Sequence, residues 1–469
     1  MPDILIVSDD IVGSRMAGPG IRAWETASAL SRKFSVRLAV PAFAGNGGDE
    51  AFFKKASFET SSYKLGDAGT VREWAEASRI VLFQGFILSK FPVLKNSGRH
   101  LIADVYDPFV LENLFIHQRK AANLAEREAV HLHDLRVFND ILLAADHFVC
   151  ASERQKDLFA GALMSLNRIT PRALDADPTF ASLITVVPFG ISGEAHCGGG
   201  PGKAGPSVVS EEFPGIAEDD ILLLWGGVLS NWFDPLSLLR GFAAALEENP
   251  RLKLLFLSSV HPNPLLPPFE AAADARRLAG ELGLLGKNIF FREDWVPYDR
   301  RAGYFERADI GLSVHKTHFE TRYAFRTRIL DYIGFGIPIL CTEGDYFAGL
   351  VAGEGLGEVV RSERSDDIRA AILRLAGDAD LRNRLKGNLR KVRERFAWDR
   401  VVEPLARYCE KVLAGDIKPG DKPGKREIAY VCGGVPDSAF RRGGKKLLGE
   451  NAAKVPTGFA ARLRRLLRF

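Results

Sequence analysis

The segment HKTHFETRYAFRTRILDYIGFGIPILCTEGD, from His315 to Asp345, constrains the fold more than any other stretch of the chain. The residues before it, RADIGLSVH, end in an apolar run suited to a parallel strand buried on both faces. A polar loop follows and ends at Thr327, placed to cap a helix over Arg328, Ile329, Leu330, Asp331, Tyr332 and Ile333. Gly334 and Gly336 then stop the helix, and Pro338 stiffens the entry to a second strand, IPILC. Strand, helix and strand at this spacing read as a crossover between parallel strands of an α/β sheet. The helix start is flanked by Arg326 and Arg328. Its free N–H groups, its dipole and two guanidinium groups together suit a phosphate. Asp331, one turn in, is placed to accept bonds from ribose hydroxyls. The plainer reading is an ordinary crossover with its arginines in water.

The same pattern recurs from the start of the chain. DILIVSDD (3–10) reads as a first strand, IVGSRMAGPGIRAWETASALSRKF as a loop holding Gly13, Gly18 and Gly20 and then a helix, and SVRLAVPAF as a second strand. Glycines let backbone approach a ligand closely. Their spacing is not GxGxxG, so a nicotinamide cofactor is not indicated. SRIVLFQGF (78–86) and HLIADVYDP (100–108) are further buried strands with polar carboxyl ends. Ligands in such sheets bind beyond those ends, which singles out Asp107 and then Asp104; the alternative is a turn capped by Asp beside Pro108. Residues 111–145 read as helical, with His117, His131 and His133. His131 and His133 fall on different faces, against a metal pair. DHFVCASERQKDLF reads as strand, Ser152 cap and helix, and TVVPFGI (185–191) closes the first domain. The Gly- and Pro-rich run GEAHCGGGPGKAGPS is a linker expected to be mobile. DILLLWGGVLSNWFDPLSLLRGFAAAL opens the second domain, with Gly226 and Gly227 in a turn after its strand. LKLLFLSSVHP, NIFF and EVV add strands.

The five cysteines, Cys150, Cys197, Cys341, Cys409 and Cys432, form no CxxC pair, which argues against structural zinc and a disulfide scaffold. Met1 to Val7 lacks a basic leader region, and no apolar run reaches the roughly 18 residues that span a bilayer. The net charge is +4, yet the segment from Gly415 to Phe469 alone holds 13 Lys or Arg against 5 Asp or Glu. The basic excess therefore belongs to a Gly-, Pro- and Lys-rich tail rather than to the core. The tail ends in GFAARLRRLLRF, where Phe459, Leu463, Leu466 and Leu467 form one apolar stripe among arginines. Such a stripe suits an anionic membrane surface, or equally a solvated or self-docked tail.

RTRILDYIGFGIPIL followed by TEGD resembles the nucleotide-sugar motif of GT-B glycosyltransferases, specifically family 4 of the retaining enzymes (glycosyl transferases group 1). GPGIRAWE, VPFGI, WVPYDRRAGYFERADIGL and FAWDRVVEPLARYCEKVL resemble other segments of that family. The implied fold is α/β: two Rossmann-like, doubly wound parallel-sheet domains facing across a cleft. The expected divisions are 1–193 on the acceptor side, a linker at 194–215, a nucleotide-sugar domain at 216–395, a crossover helix at 396–414 and a basic, partly disordered tail at 415–469. The implied activity is hexosyl transfer, with retention, from a UDP- or GDP-sugar to a glycan or lipid-linked acceptor, in cell-surface polysaccharide or glycolipid synthesis. It would use no metal and no cofactor beyond that co-substrate. The expected location is the cytoplasm, at the inner membrane face through residues 459–469, with no nucleic-acid partner.

Residue by residue, the resemblance implies that Arg326 and Arg328 face the diphosphate and stabilise the charge growing on the leaving group. Asp331 would hold the ribose, Gly226 and Gly227 would admit the diphosphate to backbone, and Gly18, Gly20 and Arg22 would line the cleft. Trp295 and Val296 would meet the nucleobase, Glu320 the donor sugar, and Asp107 the acceptor or sugar. Two positions depart from the family. Tyr323 stands where a first Glu is usual, eight positions before Asp331, and Glu320 is the nearest acid upstream. No Lys follows Gly227, which leaves Asn231 or the two arginines to neutralise phosphate. The alternatives are a non-catalytic nucleotide-sugar-binding or assembly protein on this fold, or a sugar-nucleotide epimerase.

Overall fold

Short runs of β-branched residues and leucine, each followed by a helix, produce two separate parallel sheets in the computed structural model. It describes residues 2–42, 49–116, 123–193 and 207–417, except 259, 265 and 267. The first sheet contains β1 (Ile4–Val7), β2 (Val36–Pro41), β3 (Glu59–Tyr63), β4 (Ile80–Gln84), β5 (His100–Asp104), β6 (His147–Cys150) and β7 (Ile184–Val186), in the order β3-β2-β1-β4-β5-β6-β7. The second contains β8 (Ile221–Val228), β9 (Leu252–Ser258), β10 (Ile289–Phe291), β11 (Ile310–Ser313), β12 (Ile339–Thr342) and β13 (Gly357–Val360), in the order β10-β9-β8-β11-β12-β13. Every pairing is parallel. In each sheet the order reverses once, between β1 and β4 and between β8 and β11. A crevice opens at the carboxyl ends of the strands at such a switch point.

Burial explains the sequence pattern. Every residue of β1 and β4 is buried, so both read as apolar runs, broken only by Gln84 at the end of β4. The edge strand β3 is ETSSY, buried only at Tyr63, which hides it from a search for apolar runs. The chain crosses between the domains a second time near residue 396. The Ile191 N–H donates to the Phe396 carbonyl at 2.6 Å. The helices Trp398–Val401 and Glu403–Ala414 then lie on the first domain, where the Tyr408 ring stacks on His147 at 3.7 Å and its hydroxyl meets His100 Nε2 at 2.8 Å. Burial pushes the His147 imidazole down to about 3, so it is neutral, with Nδ1 2.9 Å from the Ser182 carbonyl.

The structure differs from the sequence expectations at several points. Gly18 and Gly20 belong to the first turn of the helix Gly18–Leu30, started by Pro19, rather than to the loop. The stretch 111–145 is two helices, Phe109–Ile116 and Leu124–Ala144, and His117 lies outside the described residues. Within the expected linker, Val208–Glu212 is helical, with Val209 buried and Ser207 as cap; residues 194–206 lie outside the described residues. The polar loop before Arg328 holds a short helix, Phe319–Tyr323. Helix Ala379–Arg393 is additional. The crossover is two helices broken at Val402 rather than one. Cys197, Cys432 and the tail beyond residue 417 lie outside the described residues. Among the described residues no helix is long and apolar enough to cross a membrane.

Candidate functional site

A cavity of about 620 Å³ lies between the two sheets at their carboxyl ends. Both switch points open into it. From β1 and β4 come Asp9, Asp10, Gln84 and Gly85; from β8 come Gly226, Gly227 and Val228.

The second-domain wall is built around helix Arg328–Phe335, and Tyr332 fixes that helix. Its hydroxyl accepts from the Gly226 N–H at 2.9 Å and lies 3.0 and 2.8 Å from the carbonyl oxygens of Leu224 and Leu312. One side chain thus ties the helix to β8 and β11. Its ring fills the space beside Gly311, where an added Cβ would stand 2.4 Å from ring carbon. Gly336, at φ +71°, ends the helix, and Gly334 lies inside it. Thr327 is itself helical (φ −55°, ψ −27°) and makes no side-chain cap. Instead the Ile329 and Leu330 N–H groups turn back onto the Arg326 and Thr327 carbonyls. The first turn is therefore tight, and the arginines carry more of any anion binding than a wide helix start would.

The two arginines are held differently. Arg326 Nη2 pairs with Glu320 at 2.6 Å. Glu320 is fully buried and is not part of the cavity wall, and it orients Arg326 from behind. Arg328 lies between the rings of Trp225 and Phe233, 4.4 and 4.2 Å from their centroids, and its Nη2 donates to the Val228 carbonyl at 3.0 Å. Among the described residues no carboxylate forms an ion pair with it, and its Nη1 has no partner. Burial pushes its pKa down to about 10, with the Arg326 charge adding to the fall. A guanidinium enclosed in this way without a counter-ion is costly and attracts an anion.

Asp331 also lines the cavity and pairs with Arg301 at 2.9 Å, whose guanidinium stacks on Tyr298 at 4.4 Å. Gly227, at φ +97°, and Gly226 lie at the irregular end of β8, within the strand rather than in a turn after it. Gly18, Trp295 and Val296 are on the cavity wall, and Gly20 is not. A Cβ on Gly20 would meet the Ile11 carbonyl oxygen at 1.9 Å, so this glycine permits close packing. Arg22 is buried and bidentate to Asp104 at 2.6 and 2.9 Å, between the Tyr106 and Phe189 rings; it braces the domain and does not reach the cavity. Asn231 is also off the wall, bonded to Phe115 and Ala271.

The first-domain wall is acidic. Asp107 faces Glu112, and burial pushes both carboxyls up, with the Glu320 charge adding to each rise and the Asp107 charge adding to that of Glu112. Asp10 is pushed up to about 6 by burial. It accepts from the Ile11 N–H and, across the cleft, from Asn263 Nδ2, both at 2.8 Å. Asp9 accepts from the Phe86 N–H at 2.8 Å and pairs with Lys90. Asp9, Asp10, Gln84, Glu112, Trp232 and Arg301 are cavity residues that sequence reasoning did not select. For Asp9, Asp10 and Gln84 the signal was present, since each follows an apolar strand as Asp104 and Asp107 do.

No protein-family model and no curated protein matches the sequence. Solved structures do match along nearly their whole length. One is sucrose-phosphate synthase from Thermosynechococcus elongatus, with TM-score 0.57, 15% identity, and coverage of 88% of this chain and 99% of that one. Another is WaaG, a glycosyltransferase involved in lipopolysaccharide biosynthesis, with TM-score 0.57, 15% identity, and coverage of 88% and 100%. A third is Anabaena HepE in complex with UDP and glucose, with TM-score 0.61, 12% identity, and coverage of 87% and 99%. The fold is GT-B. At these identities the likeness concerns architecture alone. On the GT-B frame the arginine-bearing helix of the second domain and the carboxylates of the first line one shared cavity.

Proposed function

We propose that this protein is a nucleotide-sugar-dependent glycosyltransferase of the family 4 type, holding a donor diphosphate at Arg328. The observation that carries the reading is the Arg328 guanidinium, enclosed between two rings on the cavity wall with no carboxylate partner among the described residues. A diphosphate supplies the missing charge, and the same contact strengthens as negative charge grows on the leaving group. Arg326, held by Glu320, adds a second cation. Gly227 brings backbone close to Arg328, with a Cβ position 4.0 Å from its Nη2, so a small ligand group can reach both. Asp331, steadied by Arg301, accepts ribose hydroxyls, and Trp295 and Val296 border the nucleobase.

In this reading the hexosyl donor is a UDP- or GDP-sugar, and Asp107 orients the sugar or acceptor across the cleft. The acceptor hydroxyl attacks on the face the diphosphate leaves, passing its proton to the leaving phosphate oxygen, so configuration is retained without a metal. The acceptor is a glycan or lipid-linked sugar of cell-surface polysaccharide or glycolipid synthesis, met at the inner membrane face with help from residues 459–469. The divisions 1–193, 194–215, 216–395, 396–414 and 415–469 belong to the same proposal. HepE, whose structures hold UDP, UDP-glucose, or UDP with glucose, is the neighbour that supports the donor class. The test is a thermal-shift screen of UDP- and GDP-sugars, followed by mass spectrometry of the product and NMR of its anomeric proton. Stabilisation by a nucleotide sugar and a retained glycoside are expected. No stabilisation by any nucleotide refutes the reading. Binding without transfer to any acceptor favours a non-catalytic binding protein, and interconversion of two nucleotide sugars without acceptor favours an epimerase.

A further inference from the structure

Beside the arginine-bearing helix the cavity holds a second polar constellation, which shares only Arg326 with the diphosphate site. Asp107 follows β5, and Glu112 lies within hydrogen-bonding reach of it on helix Phe109–Ile116. Arg326 and Trp232 approach from the second domain, with the guanidinium 5.8 Å from the indole ring. Gln84 stands at the end of the neighbouring β4. Arg326, Trp232 and Gln84 are only 6%, 8% and 3% exposed, and all three line the cavity. Yet among the described residues Nε of Arg326, Nε1 of Trp232 and Nε2 of Gln84 have no hydrogen-bond partner, and neither does Oδ1 of Asp107. Buried donors and acceptors are normally paired, so these groups await something. Donors and acceptors interleaved around one space match hydroxyl groups, each of which gives one bond and takes another.

We propose that Asp107, Glu112, Arg326 and Trp232 form a subsite for an uncharged, hydroxyl-rich sugar ring, and that this subsite rejects rings bearing carboxylate or phosphate. The proposal deepens the glycosyltransferase reading and rests on it. Selectivity follows from the charges facing the space. Asp107 meets Glu112 from its own domain and Glu320 and Arg326 from the other. Among the described residues Arg326 is the cation that this pair feels, and it is already shared between Glu320, at 2.6 Å, and the diphosphate, which leaves it weak for a ring carboxylate. Because burial raises both carboxyls, the Asp107–Glu112 pair retains a proton near neutrality and donates one bond while accepting others.

The ring belongs either to the donor or to the acceptor, and the experiment has an arm for each. Calorimetry on the full chain at pH 7.5 compares UDP and GDP, then UDP-glucose with UDP-glucuronate. Methyl glucoside and glucuronate are titrated separately into UDP-saturated and nucleotide-free protein. At least about tenfold preference for the neutral ring is expected in one arm. Asp107→Asn with Glu112→Gln should shrink that ratio to about threefold or less. Wild-type protein at pH 5.5, with the pair fully protonated, should show the same loss of preference, which covers the case of variants that do not fold. Equal binding of neutral and acidic rings in both arms overturns the subsite while leaving nucleotide binding intact, as does a ratio that ignores both the variants and pH. Failure of UDP and GDP to bind overturns the glycosyltransferase reading instead, and the nucleotide-free arm then decides the subsite alone.

Discussion

Replacing Arg328 with methionine removes the charge while keeping most of the volume between Trp225 and Phe233. Two effects of opposite sign then separate binding from folding. In the empty protein, burial pushes the guanidinium from its ordinary 12.5 down to about 10. A shift of that size corresponds to about 3 kcal/mol of penalty on the charged form. The substitution relieves this. It also forfeits the bond to the Val228 carbonyl, about 1 kcal/mol, and the stacking on two rings, about 1–2 kcal/mol. These terms nearly cancel, so the ligand-free melting temperature should move by no more than about 4 °C. Binding loses a charge-assisted contact to phosphate worth about 1.5–3 kcal/mol, a 10- to 150-fold rise in Kd. Differential scanning fluorimetry reads the first effect and calorimetry with UDP or GDP the second. Unchanged nucleotide affinity refutes the placement of the diphosphate. A collapse of the melting temperature instead makes Arg328 a structural brace.

Four further outcomes follow from the geometry. Gly311→Ala drives a methyl group into the Tyr332 ring, so it should cost about 1–3 kcal/mol in a denaturant titration, whereas Tyr332→Phe should loosen the Gly226–Gly227 strand end and raise the donor KM more than it lowers kcat. Asp10 has its pKa raised by burial from 3.8 to about 6; the folded state binds the extra proton, so about 3 kcal/mol of stability present below pH 3.8 is lost as pH rises through 6, and Asp10→Asn should flatten that part of the stability profile. His147 has its pKa lowered from 6.5 to about 3; here the unfolded chain binds the extra proton, so stability present above pH 6.5 is lost as pH falls towards 3, and His147→Gln should remove that acid sensitivity as followed by circular dichroism.

Architecture was legible because parallel strands buried on both faces are written as apolar runs, as in ILIV of β1 and IVLF of β4. What escaped was structure without that signal. The edge strand ETSSY is polar, and Phe319–Tyr323 is too short to show a helical period. Of the candidate site, the arginines, Asp331, Gly18, Gly226, Gly227, Trp295, Val296 and Asp107 lie on the cavity wall, while Glu320 and Gly20 lie behind it. Sequence spacing places a residue near a strand end but does not say which way its side chain turns. Glu320 turns inward to Arg326, and Arg22 turns inward to Asp104. The pairing of Asp107 with Glu112 likewise depends on how one helix follows one strand. No pattern of residue types announces it.

Because the polypeptide returns to the first domain at Ile191 and Phe396 and stays there through Tyr408, the halves are joined at two places. Two attachments mean that severing one of them does not by itself part the domains, which also share bonds such as Asn263 to Asp10 and Gln155 to Tyr323. A protease cut anywhere in 194–206 should therefore leave the fragments together in size-exclusion chromatography, since the amino-terminal fragment still grips the helix Glu403–Ala414 of the other.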